Sequence, residues 1–72
     1  MQEDKQKLLH FGTRLRKIRK NKRLTLEAIC YKNGLEPSTL SRIEKGIVDP
    51  KYLTLLKVAQ ALNMKLRDFF EE

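Results

Sequence analysis

Apolar residues recur along this chain at intervals of three and four and nowhere alternate for long enough to build a strand, a pattern that predicts an all-α domain. Leu8, Phe11, Leu15 and Ile18 share one face of a first helix, from Lys7 to about Lys22. Thr25 stands where an N-cap belongs, and Leu24 before it is placed to staple onto Ile29, so a second helix starts there and stops at Gly34, a residue suited to a left-handed C-terminal position. Leu35-Glu36-Pro37 restarts the chain: Pro37 suits a first helical position, Glu36 serves as cap, and Leu35 can staple onto Leu40. This third helix reaches about Lys45 and is closed by Gly46. Asp49-Pro50 predicts the same cap-and-proline opening for a fourth helix, with Tyr52, Leu55, Leu56, Ala59 and Leu62 on its apolar face and Asn63 as its terminator. A fifth, short helix from about Lys65 to Phe70 carries Leu66, Phe69 and Phe70. The connections are short, and there is no repeat or low-complexity segment. One compact five-helix unit over residues 7–72 is therefore expected, preceded by a flexible arm at 1–6.

Size and composition narrow the function. A chain of 72 residues buries only about 60% of its unfolded surface, so it must rely on regular, locally connected elements. One Cys forms no internal disulfide, and one Cys with one His does not supply the four ligands of a zinc module. No apolar run approaches the ~20 residues of a membrane span, and Met1 to His10 has no apolar signal core, so a reducing cytoplasm is the expected setting. A 40% hydrophobic content in patterned blocks argues against disorder. A solitary His10 and a solitary Cys30 leave no nucleophile and base pair, so neither catalysis nor a cofactor is expected. Cys30 falls at a small inward position and reads as a packed, reduced thiol, and His10 as a surface imidazole. Tyr52 and Phe69-Phe70, at helical spacing with leucines, read as core more readily than as base-stacking platforms. Glu71-Glu72 reads as solvated.

Charge changes the picture more than composition does. The net charge is +7, and nine basic residues lie between Lys5 and Arg23 with no acidic one among them. From Leu24 onward, seven basic and seven acidic residues cancel. Such a block attracts polyanions, nucleic acid first and anionic membrane second. Membrane docking is disfavoured because the apolar positions of the first helix are needed for the core. The second and third helices, short and joined by a tight turn containing Gly34, describe a helix-turn-helix. Leu40 and Ile43 point inward, while Ser38, Ser41, Arg42 and Lys45 form an outward face that is small, polar and partly basic. Such a face suits a DNA major groove about 12 Å wide.

From Phe11 to Phe70 the chain resembles the phage-repressor and Cro group of domains, the Xre-like helix-turn-helix proteins. The resemblance rests on Arg14-Leu15-Arg16-Lys17-Ile18-Arg19, Leu24-Thr25, Gly34-Leu35, Ser41-Arg42-Ile43-Glu44-Lys45-Gly46, Pro50 and Thr54-Leu55-Leu56-Lys57-Val58-Ala59-Gln60-Ala61-Leu62. It implies a lambda-repressor-like five-helix fold and a transcription regulator of repressor or controller type, acting on double-stranded DNA as a homodimer. An antitoxin, masking a toxin partner and binding DNA secondarily, is the alternative. The resemblance places base reading at Pro37, Ser38 and Arg42, with Arg42 foremost because its fork can engage guanine O6 and N7 together. Phosphate contacts fall to Thr25, Thr39, Ser41, Lys45 and Lys51. It also pairs Arg19 with Glu44 in a buried ion pair between the first helix and the end of the third. Leu53, off the apolar face, together with Leu66 and Phe69, is the expected dimer contact. A chain of this size is expected to leave no room for a ligand-sensing domain.

Four positions depart from the family pattern. Leu26 stands where Gln is usual at the first turn of the second helix. Glu36 and Lys65 replace capping Ser or Thr residues. Arg23 occupies a place usually held by Gly, so either it is left-handed, at a cost of roughly 1 to 2 kcal/mol, or the turn differs.

Overall fold

In a computed structural model that describes residues 2–70, four α-helices and one 3-10 turn enclose a single core. The first helix, α1, spans Gln2–Asn21 and so begins five residues before Lys7. Residues 2–6, read from the sequence as an arm, are its first turns. The segment holds no breaker, and Glu3 and Asp4 in the first turn complement the helix dipole, as Arg19 and Lys20 do in the last. Its buried stripe is Gly12, Leu15 and Arg19, flanked by half-buried Phe11 and Ile18.

α2, Leu26–Cys30, is a single turn and a half opened by Thr25, whose Oγ1 accepts from the Ala28 N–H at 3.1 Å. It ends four residues short of Gly34. The Asn33 side chain donates to the Ile29 carbonyl at 2.7 Å, and Leu35 N–H reaches back to the Cys30 carbonyl across left-handed Gly34. α3, Pro37–Glu44, starts on proline after an extended Glu36 whose side chain makes no capping bond. It is closed by Gly46, which is left-handed, with Ile47 N–H on the Arg42 carbonyl at 3.0 Å.

α4 spans Tyr52–Ala61 with Lys51 as its N-cap. Asp49 and Pro50 therefore belong to the connection, not to the cap and first helical position that the sequence predicts. Tyr52 is also not core: it is 65% exposed, because the buried residues of α4, Val58 and Ala59, lie in its second half. Leu66–Phe69 forms a 3-10 turn in place of a fifth α-helix. The Asp68 carboxylate accepts from the Lys65 N–H at 3.1 Å and so supplies the N-terminal closure for which Lys65 has no acceptor.

A positive φ sits at each of the four junctions: Arg23, Gly34, Gly46 and Asn63. Two are glycine and one is asparagine, the residues that tolerate this region best, while Arg23 adopts it at φ 59° without that advantage. The junctions fold the chain around Leu15, Ile29, Cys30, Leu40, Ile43, Val58, Ala59, Leu62 and Phe69, all nearly solvent-free. Leu24 and Leu35, the two staple residues, pack against this cluster.

Candidate nucleic-acid interface

The outward face of α3 is built by exclusion. Leu40, Ile43 and Glu44 are buried on the inner side, so Pro37, Ser38 and Arg42 stand exposed on the outer one, with Thr39 and Ser41 half-buried at its borders. Lys45 follows at the helix end and Lys51 at the start of α4, both exposed. Thr25 is exposed too, but its Oγ1 already accepts a capping bond, so toward a phosphate it retains only its hydroxyl proton as a donor.

Two contacts stand out among those that hold α3 and its closing Gly46 against α1. In the first, Arg19 Nε donates to Glu44 Oε2 at 2.7 Å and Nη2 to Oε1 at 3.0 Å, a bidentate pair with both residues 7% exposed. The same guanidinium donates from Nη1 to the Leu24 carbonyl at 2.6 Å. The hydrogen bonds to Glu44 hold the Arg19 pKa above its ordinary value against the opposing effect of burial. In the second, a Cβ on Gly12 would lie 2.3 Å from the Ile43 carbonyl oxygen and 2.5 Å from that of Glu44, so only glycine lets α1 approach α3 this closely.

The family resemblance leads to the Arg19–Glu44 pair but not to these other two features. The bond to Leu24 carries no sequence signal. Gly12 does carry one, a lone glycine inside an otherwise helical stripe, which marks a close approach. The N-terminal basic block also divides in a way that net charge does not reveal. Arg19 is locked in the clasp, and Arg14 turns inward, with Nη2 on the Asp68 carbonyl at 3.3 Å and a buried Nε that has no hydrogen-bond partner among the described residues. The other seven basic residues between Lys5 and Arg23 are exposed.

Elsewhere on the surface, Leu53 is 67% exposed, and Tyr52 and Phe70 are similarly open. Phe69, expected as a dimer contact, is 2% exposed and lies in the core, its ring 6.2 Å from that of Phe11 in an edge-on arrangement. The 3-10 geometry turns Phe69 inward and leaves Phe70 outside, stacked on Phe11 at 5.6 Å. Leu66 is half-buried against the core.

A family model described as a helix-turn-helix domain matches residues 12–71. The chain belongs to that family. Its likeness to the Xre-like group holds, although Pro50 lies in the α3–α4 connection and not on α4. Among solved structures it is similar to the restriction-modification controller protein C.AhdI from Aeromonas hydrophila, at 34% identity and a TM-score of 0.84, covering 89% of this chain and 97% of that one. It is also similar to the clp gene regulator ClgR from C. glutamicum, at 27% identity and a TM-score of 0.78, covering 86% and 80%. No curated protein sequence matches it significantly. No described helix is long and apolar enough to cross a membrane.

Proposed function

We propose that this chain is a sequence-specific DNA-binding transcription regulator that reads the major groove of double-stranded DNA with α3 as a homodimer. The observation that carries the proposal is the exposed Pro37-Ser38-Arg42 face, held at a fixed angle by the buried Arg19–Glu44 clasp and flanked by Lys45 and Lys51. Its family and its likeness to a controller protein and a gene regulator support the same reading. Eight residues of helix are about 12 Å long, so α3 fits into one major groove. The domain measures 34 × 25 × 21 Å, so two copies side by side can occupy successive grooves one turn, roughly 34 Å, apart. The two copies would meet through the first turn of α4 and Phe70, where Tyr52 and Leu53 are also open.

In this arrangement Arg42 specifies sequence, while Lys45 and Lys51 mainly supply affinity. Selection of bound sequences from random DNA at near-physiological salt should return a two-fold related site. Arg42→Ala should then cost about 1 to 3 kcal/mol on that site and relax preference at one base pair per half-site, with little loss on random DNA. Lys51→Ala should weaken binding to both alike and lower the slope of log K against log salt by about 0.9 for each phosphate that a subunit ceases to neutralise. Parallel losses on both duplexes for Arg42→Ala would reassign it to the backbone. Selection that enriches no sequence would overturn the proposal.

A further inference from the structure

We propose that Arg23 contacts the DNA backbone, and that it stands where a glycine would fold more comfortably because its charge is used there. The inference rests on the DNA-binding reading above and extends it to a residue outside the helix-turn-helix. Arg23 is exposed in the turn between α1 and α2 with φ at 59°, a region that disfavours a side chain with a Cβ. Arginine brings the turn no compensating contact: among the described residues its guanidinium makes no hydrogen bond and no ion pair. The turn is held by backbone bonds that any residue could make, Arg23 N–H to the Lys20 carbonyl at 2.9 Å and Leu24 N–H to the Arg19 carbonyl at 3.2 Å. Strain without an internal benefit points to an external one.

The location of Arg23 points the same way. The Leu24 carbonyl, on the residue after Arg23, is gripped by Arg19 Nη1 at 2.6 Å, and the same guanidinium holds Glu44, the last residue of α3. Arg23 is thus one peptide unit from a buried clasp whose other end is next to Lys45. Thr25, another candidate phosphate contact, is two residues further on. The cation's base is therefore rigidly registered to the recognition helix, so docking α3 in the groove fixes where the Arg23 stem begins. Its charge is also unneutralised locally. Lys22 precedes it in the chain, its own N–H bonds the Lys20 carbonyl, and no acidic side chain among the described residues pairs with it. A cation so placed, with a like charge next to it in the chain, is stabilised by a phosphate more than by anything on its own chain.

The turn's geometry provides a test in which fold and binding move apart. Arg23→Gly removes the charge and relieves the backbone, so its melting temperature should be unchanged or raised by up to about 5 °C. Its affinity at near-physiological salt should fall roughly tenfold on the selected duplex and on a scrambled one alike, with a salt slope lower by about 0.9 per subunit. Arg23→Ala keeps the strain and should lose as much affinity, while Arg23→Lys should retain most of it. Wild-type affinity in Arg23→Gly and Arg23→Ala would overturn the proposal. So would a loss confined to the selected duplex, which would make Arg23 a reader of sequence. If the unmodified protein binds no duplex at all, the DNA-binding reading itself fails and this one with it, a result distinct from normal binding by the unmodified protein with no effect of the substitutions.

Discussion

Where α1 crosses α3, the contact includes a glycine, two backbone carbonyls and a buried bidentate ion pair. Where α4 begins and the chain leaves the 3-10 turn, by contrast, Tyr52, Leu53 and Phe70 are each more than 60% exposed. The first region has no freedom to adjust: Gly12 admits no added atom, and Arg19 commits three donor groups to fixed acceptors. The second has exposed apolar side chains, and Phe70 there also lines an open groove of mixed character, with Leu8, Phe11 and Leu55 beside Glu3, Asp4 and Arg14. The difference shows how a domain with so small a core divides its tasks. In the proposed binding mode, rigidity is concentrated where α3 is aimed, and apolar surface is left where the proposed second copy would cover it.

Unpairing the clasp should have the largest effect. Arg19→Met or Glu44→Gln alone strands a buried partner and should destabilise the fold by roughly 3 to 5 kcal/mol in urea melts, while the double apolar replacement is better tolerated. Equal losses below about 1 kcal/mol in both single variants would mean that the pair behaves as an exposed one. Gly12→Ala attacks the same contact sterically. Despite alanine's better helix propensity it should cost about 2 to 3 kcal/mol, because the obstructing atoms are backbone and the helices must separate. Both substitutions should weaken specific DNA binding even where the protein remains folded, since each changes the angle of α3.

At the open edge the expectation reverses. Leu53→Glu should change monomer stability by less than about 0.5 kcal/mol while raising the dimer dissociation constant roughly tenfold or more, as read by sedimentation. A wild-type protein that sediments as a monomer at all concentrations would remove the distinction between the two regions. The smallest effect concerns Cys30. Burial, with added push from Glu27 and Glu44, raises its pKa above the ordinary thiol value of 9.0, so the folded chain keeps a proton that the unfolded chain releases. Stability from this source is complete below pH 9.0 and is lost as pH rises through the folded-state value. The unfolding free energy of the wild type should therefore fall more steeply above pH 9.0 than that of Cys30→Ala, and native Cys30 should resist alkylation until the chain unfolds.

Much of the fold and of the outward face of α3 is legible in the sequence. Thr25, Pro37, Gly46 and Asn63 mark helix ends, and Gly34 the turn after α2, through their own φ preferences and side-chain capping, and these act over three or four residues whatever the rest of the chain does. The outward set Pro37, Ser38 and Arg42 follows from the same periodicity. Sequence reasoning fails where local signals compete. Asp49-Pro50 offers a cap that the chain declines, starting α4 two residues later, and Phe69-Phe70 offers two rings of equal hydrophobicity with no local reason to choose between them.

What the sequence by itself determined, then, is the number and order of helical segments, the turns between them and the family to which they belong, because periodicity, caps and left-handed residues are short-range properties. Only the tertiary structure decided which of the chemically equivalent groups are used. Arg14 and Arg19 are withdrawn from a basic block whose other members stay in water. Phe69 enters the core while Phe70 remains outside, and Arg19 gains the Leu24 carbonyl that ties the α1–α2 turn to α3. Burial and hydrogen bonding across 25 or 54 residues depend on neighbours that only folding brings together, so identical side chains a few positions apart end in opposite environments.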